Sequence, residues 1–208
     1  MTDTSKADFF RRIDESDDEE FYRWPRRVVH IDDPAIATVG SIYASRIAPR
    51  SAILDLMSSW RSHLPDSLQL SRVTGLGLNE EEMRDNPALT EIVVHNVNRL
   101  PRLPFADQIF DAAVMTVSVQ YLTHPVEVFA DVGRILRPGG AFIVTFSNRM
   151  FPTKAVALWQ GANEGQRVMI VRSYFAQSGA FERIEAIDRS DPDEQSDPVW
   201  AVLGYRPA

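Results

Sequence analysis

The chain predicts an α/β domain: a doubly wound, mostly parallel sheet of seven strands, with helices on both faces and a terminal antiparallel hairpin. Three observations predict it. The runs Asp111 to Val117 and Ala141 to Phe146 are apolar and β-branched, and the stretch Val126 to Leu136 between them has the length of a crossover helix, which makes a parallel βαβ unit. Three further short apolar runs precede that unit and add strands to the same sheet. Two final strand-like runs follow each other with no helical segment between them, as an antiparallel pair requires.

Taken in order, residues Thr2 to Arg23 are polar and acidic, with the run Asp14 to Glu20. Phe9, Phe10, Ile13 and Phe21 lie within this segment at near-helical spacing, so residues 1–33 read as an arm that can dock on a domain spanning 34–208. Asp32 or Asp33 caps a helix that opens at Pro34 and runs to Ile47. Strands follow at Ala52 to Leu56, Arg72 to Leu78 and Glu91 to Asn96, with a short helix from Glu80 to Arg84 stopped before Asn86-Pro87. After the βαβ unit come helical stretches at Thr153 to Gln160 and Glu164 to Gln177, the second ended by Ser178-Gly179. The last strands are Phe181 to Asp188 and Pro198 to Tyr205, joined by the turn-rich stretch Arg189 to Asp197.

A length of 208 residues suits one domain with a sizeable core, and 44% hydrophobic with 25% charged residues is the composition of an ordinary globular chain. No apolar run reaches membrane-spanning length, and no basic-then-apolar signal segment opens the chain, so no membrane partner is expected. A net charge of -7 argues against nucleic acid as a partner, because binding phosphates requires their neutralisation. The chain has no cysteine, which excludes disulfides and thiolate chemistry and fits a cytoplasmic location. The four histidines form no metal-binding spacing, and no metal is expected.

The blocks Leu103-Pro104-Phe105-Ala106-Asp107-Gln108-Ile109-Phe110-Asp111 and Leu136-Arg137-Pro138-Gly139-Gly140 resemble the second half of class I methyltransferases of the type 11 kind, which use S-adenosylmethionine. The resemblance runs from about Ile53 to Tyr205 and implies a Rossmann-like methyltransferase fold with that cofactor. Ligands of such sheets bind outside the carboxyl ends of the strands. After the first strand the family carries an acid followed by glycines. Asp55 keeps the acid position, whereas Met57, Ser59 and Arg61 stand where glycines would be, and Ser58 and Ser59 offer hydroxyls. Met57 and Trp60 could instead pack into the cofactor space. The ribose-gripping acid of the second strand would fall at Gly77. Asn79 is the nearest substitute, unless it caps the helix that follows. Asn96 and the backbone of Val97 are placed to meet adenine, and Thr116 to line a wall; an asparagine serving its own turn is the competing reading.

Past the fifth strand, Asn148, Arg149 and Lys154 form a polar, basic cluster where the family meets its methyl acceptor. Arg23, Arg26, Arg27 and His30 add a second basic patch. Together they would suit an anionic small molecule, with His30 as the base if the acceptor must lose a proton. Three functions are therefore open. One is methyl transfer from S-adenosylmethionine to a small molecule, with His30, Asn148 and Arg149 at the reaction centre. Another is a non-catalytic relative that binds a different ligand or a protein. A nucleotide-dependent oxidoreductase is the third, and no GxGxxG follows the first strand to support it. Asp55, Asn79 and Asn96 put polar groups at all three strand ends where a nucleoside needs them, which favours the first.

Overall fold

A computed structural model describes residues 8–190 and 195–208. The elements are α1 (Asp18–Phe21), α2 (Asp33–Arg46), β1 (Ala52–Leu56), β2 (Arg72–Gly77), α3 (Glu80–Arg84), β3 (Glu91–Val94), β4 (Phe110–Thr116), α4 (Pro125–Ile135), β5 (Leu136–Phe146), α5 (Ala157–Gln160), α6 (Glu164–Ser178), β6 (Glu182–Asp188) and β7 (Trp200–Tyr205). They form one seven-stranded sheet in the order β3-β2-β1-β4-β5-β7-β6. The first five strands are parallel, and β7 runs antiparallel between β5 and β6. The expected fold class therefore holds, including the terminal hairpin. Of the stretch expected to join the last two strands, residues 191–194 lie outside the described residues, as do 1–7 of the arm.

Strand alternation builds two apolar layers. Leu54, Leu56, Ala113, Met115, Phe142 and Val144 face α4 and α6, and Ile53, Val114, Ile143 and Leu203 face α2. Asp32 caps α2 by accepting from the Ala35 N–H at 2.9 Å, with Pro34 in the first turn. Asn163 and Gln166 form a reciprocal capping box on α6, and Gly179 ends that helix with a left-handed φ of 66°. Arg137 pairs with Asp111 at 2.6 Å to join the two sequence blocks that carry the family resemblance, and the first block is tied to α4 by Arg134. Its guanidinium donates to the Leu103 and Phe105 carbonyls at 3.1 and 2.8 Å and pairs with Asp107 and Asp131, both at 2.7 Å. Those blocks thus seat β4 against α4.

The structure departs from a regular helix-and-strand alternation at three places. The Pro-Gly-Gly turn does not precede β5 but lies within it, as an irregularity opposite Phe110 and Ala112, with Gly139 at φ 76° donating to the Arg206 carbonyl. The helix expected from Thr153 shrinks to Ala157–Gln160. No helix connects β1 to β2: residues 57–71 cross over as irregular chain, so the sheet is not helix-covered at this step.

Residues 8–32 lie over the carboxyl ends of the strands. Their anchor is Lys154, completely buried, which donates to the Ser16 carbonyl at 2.6 Å and pairs with Asp18 at 3.3 Å and Asp14 at 3.6 Å. Arg12 pairs with the same Asp18 at 2.7 Å, and the Asn98 amide donates to it at 2.9 Å. Removing one member of a buried charge cluster leaves its partners uncompensated. Lys154→Met should therefore cost about 3 kcal/mol in denaturant unfolding and make the segment 8–32 cleave sooner in limited proteolysis.

Candidate active site

A cleft of about 1230 Å³, measured out to its open mouth, lies at the carboxyl ends of β1, β2, β3 and β4 beneath the N-terminal segment. The position is the one where open α/β sheets bind ligands. His30, Asp55, Met57, Ser58, Ser59, Asn79, Asn96, Val97 and Thr116 all line it. Asn148 and Arg149 do not. Arg149 instead pairs with Asp197 at 2.7 Å on the surface, so the loop after β5 brings neither residue to the cleft.

The floor is built by the turn after β1. Asp55 is buried and accepts from the Ser58 and Ser62 hydroxyls, both at 2.6 Å. Burial without a neighbouring cation raises its carboxyl to about 6, against the opposing pull of the two serine hydrogen bonds. Met57 follows with φ 60°, the left-handed backbone that glycine adopts without cost. The Ser58 N–H then donates to the Leu76 carbonyl at 2.8 Å, which lays the turn across the end of β2. A Cβ at Gly77 would stand 2.2 Å from the Ser58 carbonyl oxygen. The acid that the resemblance would place at 77 has no room there, because this turn occupies the space that any side chain at 77 needs.

The serines do not point their hydroxyls at a ligand, as the sequence allowed. Ser58 serves Asp55, and Ser59 donates to Glu82, a buried carboxylate that also accepts the backbone N–H groups of Arg26 and Arg27. Asn79 is occupied too. Its carbonyl caps α3 through the Glu82 N–H at 3.0 Å, and its amide donates to the Tyr22 carbonyl at 2.8 Å, so the capping alternative describes it. The Asn96 carbonyl serves its turn through the Asn98 and Arg99 N–H groups. Thr116 shares a 2.6 Å hydrogen bond with Tyr43 from α2. Trp60 does not fill the floor; it lies at the mouth and donates to the Val28 carbonyl at 3.1 Å.

Several features were not visible in the sequence. Glu82 joins the β1 turn, α3 and the N-terminal segment, and its place in an acidic helix start concealed that role. His63 lines the cleft and stands with φ 52°; burial, then the charge of Arg61 and His30, lowers its imidazole to about 4. His30 is lowered by burial too, with Glu82 pulling the other way. Val117, a β-branched residue, adopts φ 43° on the cleft wall. Three cleft residues, Met57, His63 and Val117, thus hold unfavourable backbone, a pattern that concentrates at functional sites. The neighbouring Ser118 hydroxyl is buried with no hydrogen-bond partner among the described residues and lines the same cleft.

A parallel sheet with an antiparallel seventh strand and a cleft at its carboxyl edge is the Rossmann-like fold of class I methyltransferases. The family model described as "Methyltransferase domain" matches residues 60–144. Among characterised relatives, the ubiquinone/menaquinone biosynthesis C-methyltransferase UbiE of Bartonella quintana is 29% identical over 119 residues, 56% of this chain and 40% of the relative. The chain spans 11% to 40% of the length of the characterised relatives it matches. Among solved structures, an S-adenosylmethionine-dependent methyltransferase from Mesorhizobium loti superposes with a TM-score of 0.55 at 17% identity, covering 83% of this chain and 96% of its own. Phosphoethanolamine N-methyltransferase 2 of Haemonchus contortus, solved with S-adenosylmethionine, gives a TM-score of 0.57 at 12% identity, covering 84% of this chain and 52% of its own.

Asp55 generates a prediction about pH. A carboxyl raised from 3.8 to about 6 contributes stability that is complete below its unfolded pKa and is lost as pH rises through 6. The loss amounts to about 3 kcal/mol at most. Thermal unfolding of wild type and Asp55→Asn from pH 4 to pH 7 should show the wild type losing ground to the variant as pH increases.

Proposed function

We propose that this domain binds S-adenosylmethionine in the cleft and transfers its methyl group to a small, anionic acceptor. The observation that carries the proposal is the left-handed backbone of Met57, which stands where the resemblance places a glycine. A side chain is held there at a conformational cost of roughly 1–2 kcal/mol, and the turn keeps the geometry despite it.

The residues fit the cofactor along two sides. Asn96, Val97 and the cleft face of Met57 would receive the base and its sugar, and the unpartnered hydroxyl of Ser118 offers a polar contact on the wall. Asn79 and the hydroxyls of Ser58 and Ser59 are engaged within the protein, so they would shape the pocket and not grip the ligand. No acid is available for the ribose at Gly77. Once bound, S-adenosylmethionine supplies an activated methyl group, and the transfer requires alignment of the acceptor more than any covalent help. His30 lines the cleft as a half-buried imidazole whose pKa is lowered by burial, and it can meet the acceptor by donating a ring N–H or by accepting a proton.

Calorimetric titration with S-adenosylmethionine and S-adenosylhomocysteine tests the proposal. Micromolar binding of both is expected, and no heat and no thermal shift at millimolar ligand would overturn it. An attempt to restore the ribose acid should fail. Gly77→Asp forces the Ser58 carbonyl away, so it should cost about 1–3 kcal/mol of stability and weaken S-adenosylhomocysteine binding instead of strengthening it.

A further inference from the structure

The cations that the sequence offered for an anionic acceptor are all spoken for. Arg149 pairs with Asp197, Arg27 with Glu81 and Asp85, Arg23 with Glu20, and Lys154 with Asp18 and Asp14. Arg26 lies 4.0 Å over the Phe21 ring and donates to the Phe21 carbonyl. Among the described residues lining the cleft, Arg61 differs. Its guanidinium lies 4.4 Å over the Trp60 ring and has no ion pair and no hydrogen bond. It is exposed at the mouth of the cleft in a molecule of net charge -7.

Two imidazoles share that end of the cleft. His30 packs edge-on against Phe151 with ring centroids 4.7 Å apart, and His63 is held by a left-handed backbone at φ 52°. Neither ring has a hydrogen-bond partner among the described residues. Trp60, anchored through its indole N–H to the Val28 carbonyl, holds the Arg61 guanidinium against its ring. A planar guanidinium with two free imidazole donors beside it matches the two or three oxygens of a carboxylate or phosphate.

We infer that Arg61, His63 and His30 form the oxyanion-recognition end of the cleft, taking the carboxylate or phosphate of the methyl acceptor. This assignment deepens the methyltransferase reading and rests on it. The left-handed backbone at His63 accords with this role, since unfavourable backbone concentrates at functional sites. Arg61 and His30 act on His63, Glu82 acts on His30, and Arg12, Asp18, Arg26, Asp55, His95 and Lys154 line the same cleft. An oxyanion between Arg61 and the rings would favour their protonated forms, so binding should take up a proton and tighten as pH falls.

Histidine ring resonances followed by NMR during titration with inorganic phosphate, and separately with benzoate, test the inference. Saturable shifts of His63 and His30 with a rise in their pKa values are expected, together with about tenfold weaker binding in Arg61→Ala and partial recovery in Arg61→Lys. A response to phosphate alone assigns a phosphate-bearing acceptor, and a response to benzoate alone a carboxylate. Unmoved histidines with both probes, or shifts that persist unchanged in Arg61→Ala, would overturn the assignment. S-adenosylhomocysteine titration of the same wild-type sample keeps the two readings apart: intact binding there with no oxyanion response defeats only the acceptor assignment.

Discussion

The hydrogen bonds that Asp55 accepts from Ser58 and Ser62 hold together the end of the molecule where a ligand would bind. With no helix after β1, the crossover chain cannot satisfy its polar groups internally, and buried side chains must do so. Asn86 continues the connection by donating to the Ser62 hydroxyl and the Ser59 carbonyl. Ser59 passes it to Glu82, and Glu82 to the backbone of Arg26 and Arg27. One unbroken polar path therefore runs from the sheet through the β1 turn and α3 to the N-terminal segment. A disturbance at either end has a physical route to the other.

The same path explains the shape of the cleft. Because the turn is pulled onto β2 through the Ser58 N–H, Gly77 must lack a side chain and Met57 must take a glycine's conformation. Two departures from the family pattern that look unrelated in the sequence have one cause: a turn laid flat across two strand ends. The N-terminal segment then closes over it, brought down by an ion cluster around the buried Lys154.

Much of the fold was legible because it depends on local signals. The apolar runs of β1, β4 and β5, the Asp-Pro start of α2 and the glycine stop of α6 each act over a few residues. The irregular crossover after β1 was less so: Arg61-Ser62-His63-Leu64-Pro65 carries no strong breaker before Pro65, and only the tertiary demands of Asp55 and Asn86 show why it stays irregular. The cations misled for another reason. Lys154 reads as a surface residue, and its partner Ser16 is 138 positions away. Charge neutralisation across such a distance leaves no trace in the linear order, so Arg149 and Lys154 looked available while Arg61, beside a tryptophan in the altered glycine motif, did not. Asn79 shows the intermediate case, where the sequence posed both answers and the capping geometry chose one.

The placement of β7 has a consequence for how the chain comes off the ribosome. β6 touches the sheet only through β7, which follows it in synthesis, so β6 has no docking site when it emerges. Until Trp200–Tyr205 is free, the far edge of β5 presents unpaired backbone beside the apolar Phe142, Val144 and Phe146. The nascent domain is therefore at its most adhesive just before its last strand arrives, and that interval is when a chaperone would have the most surface to hold.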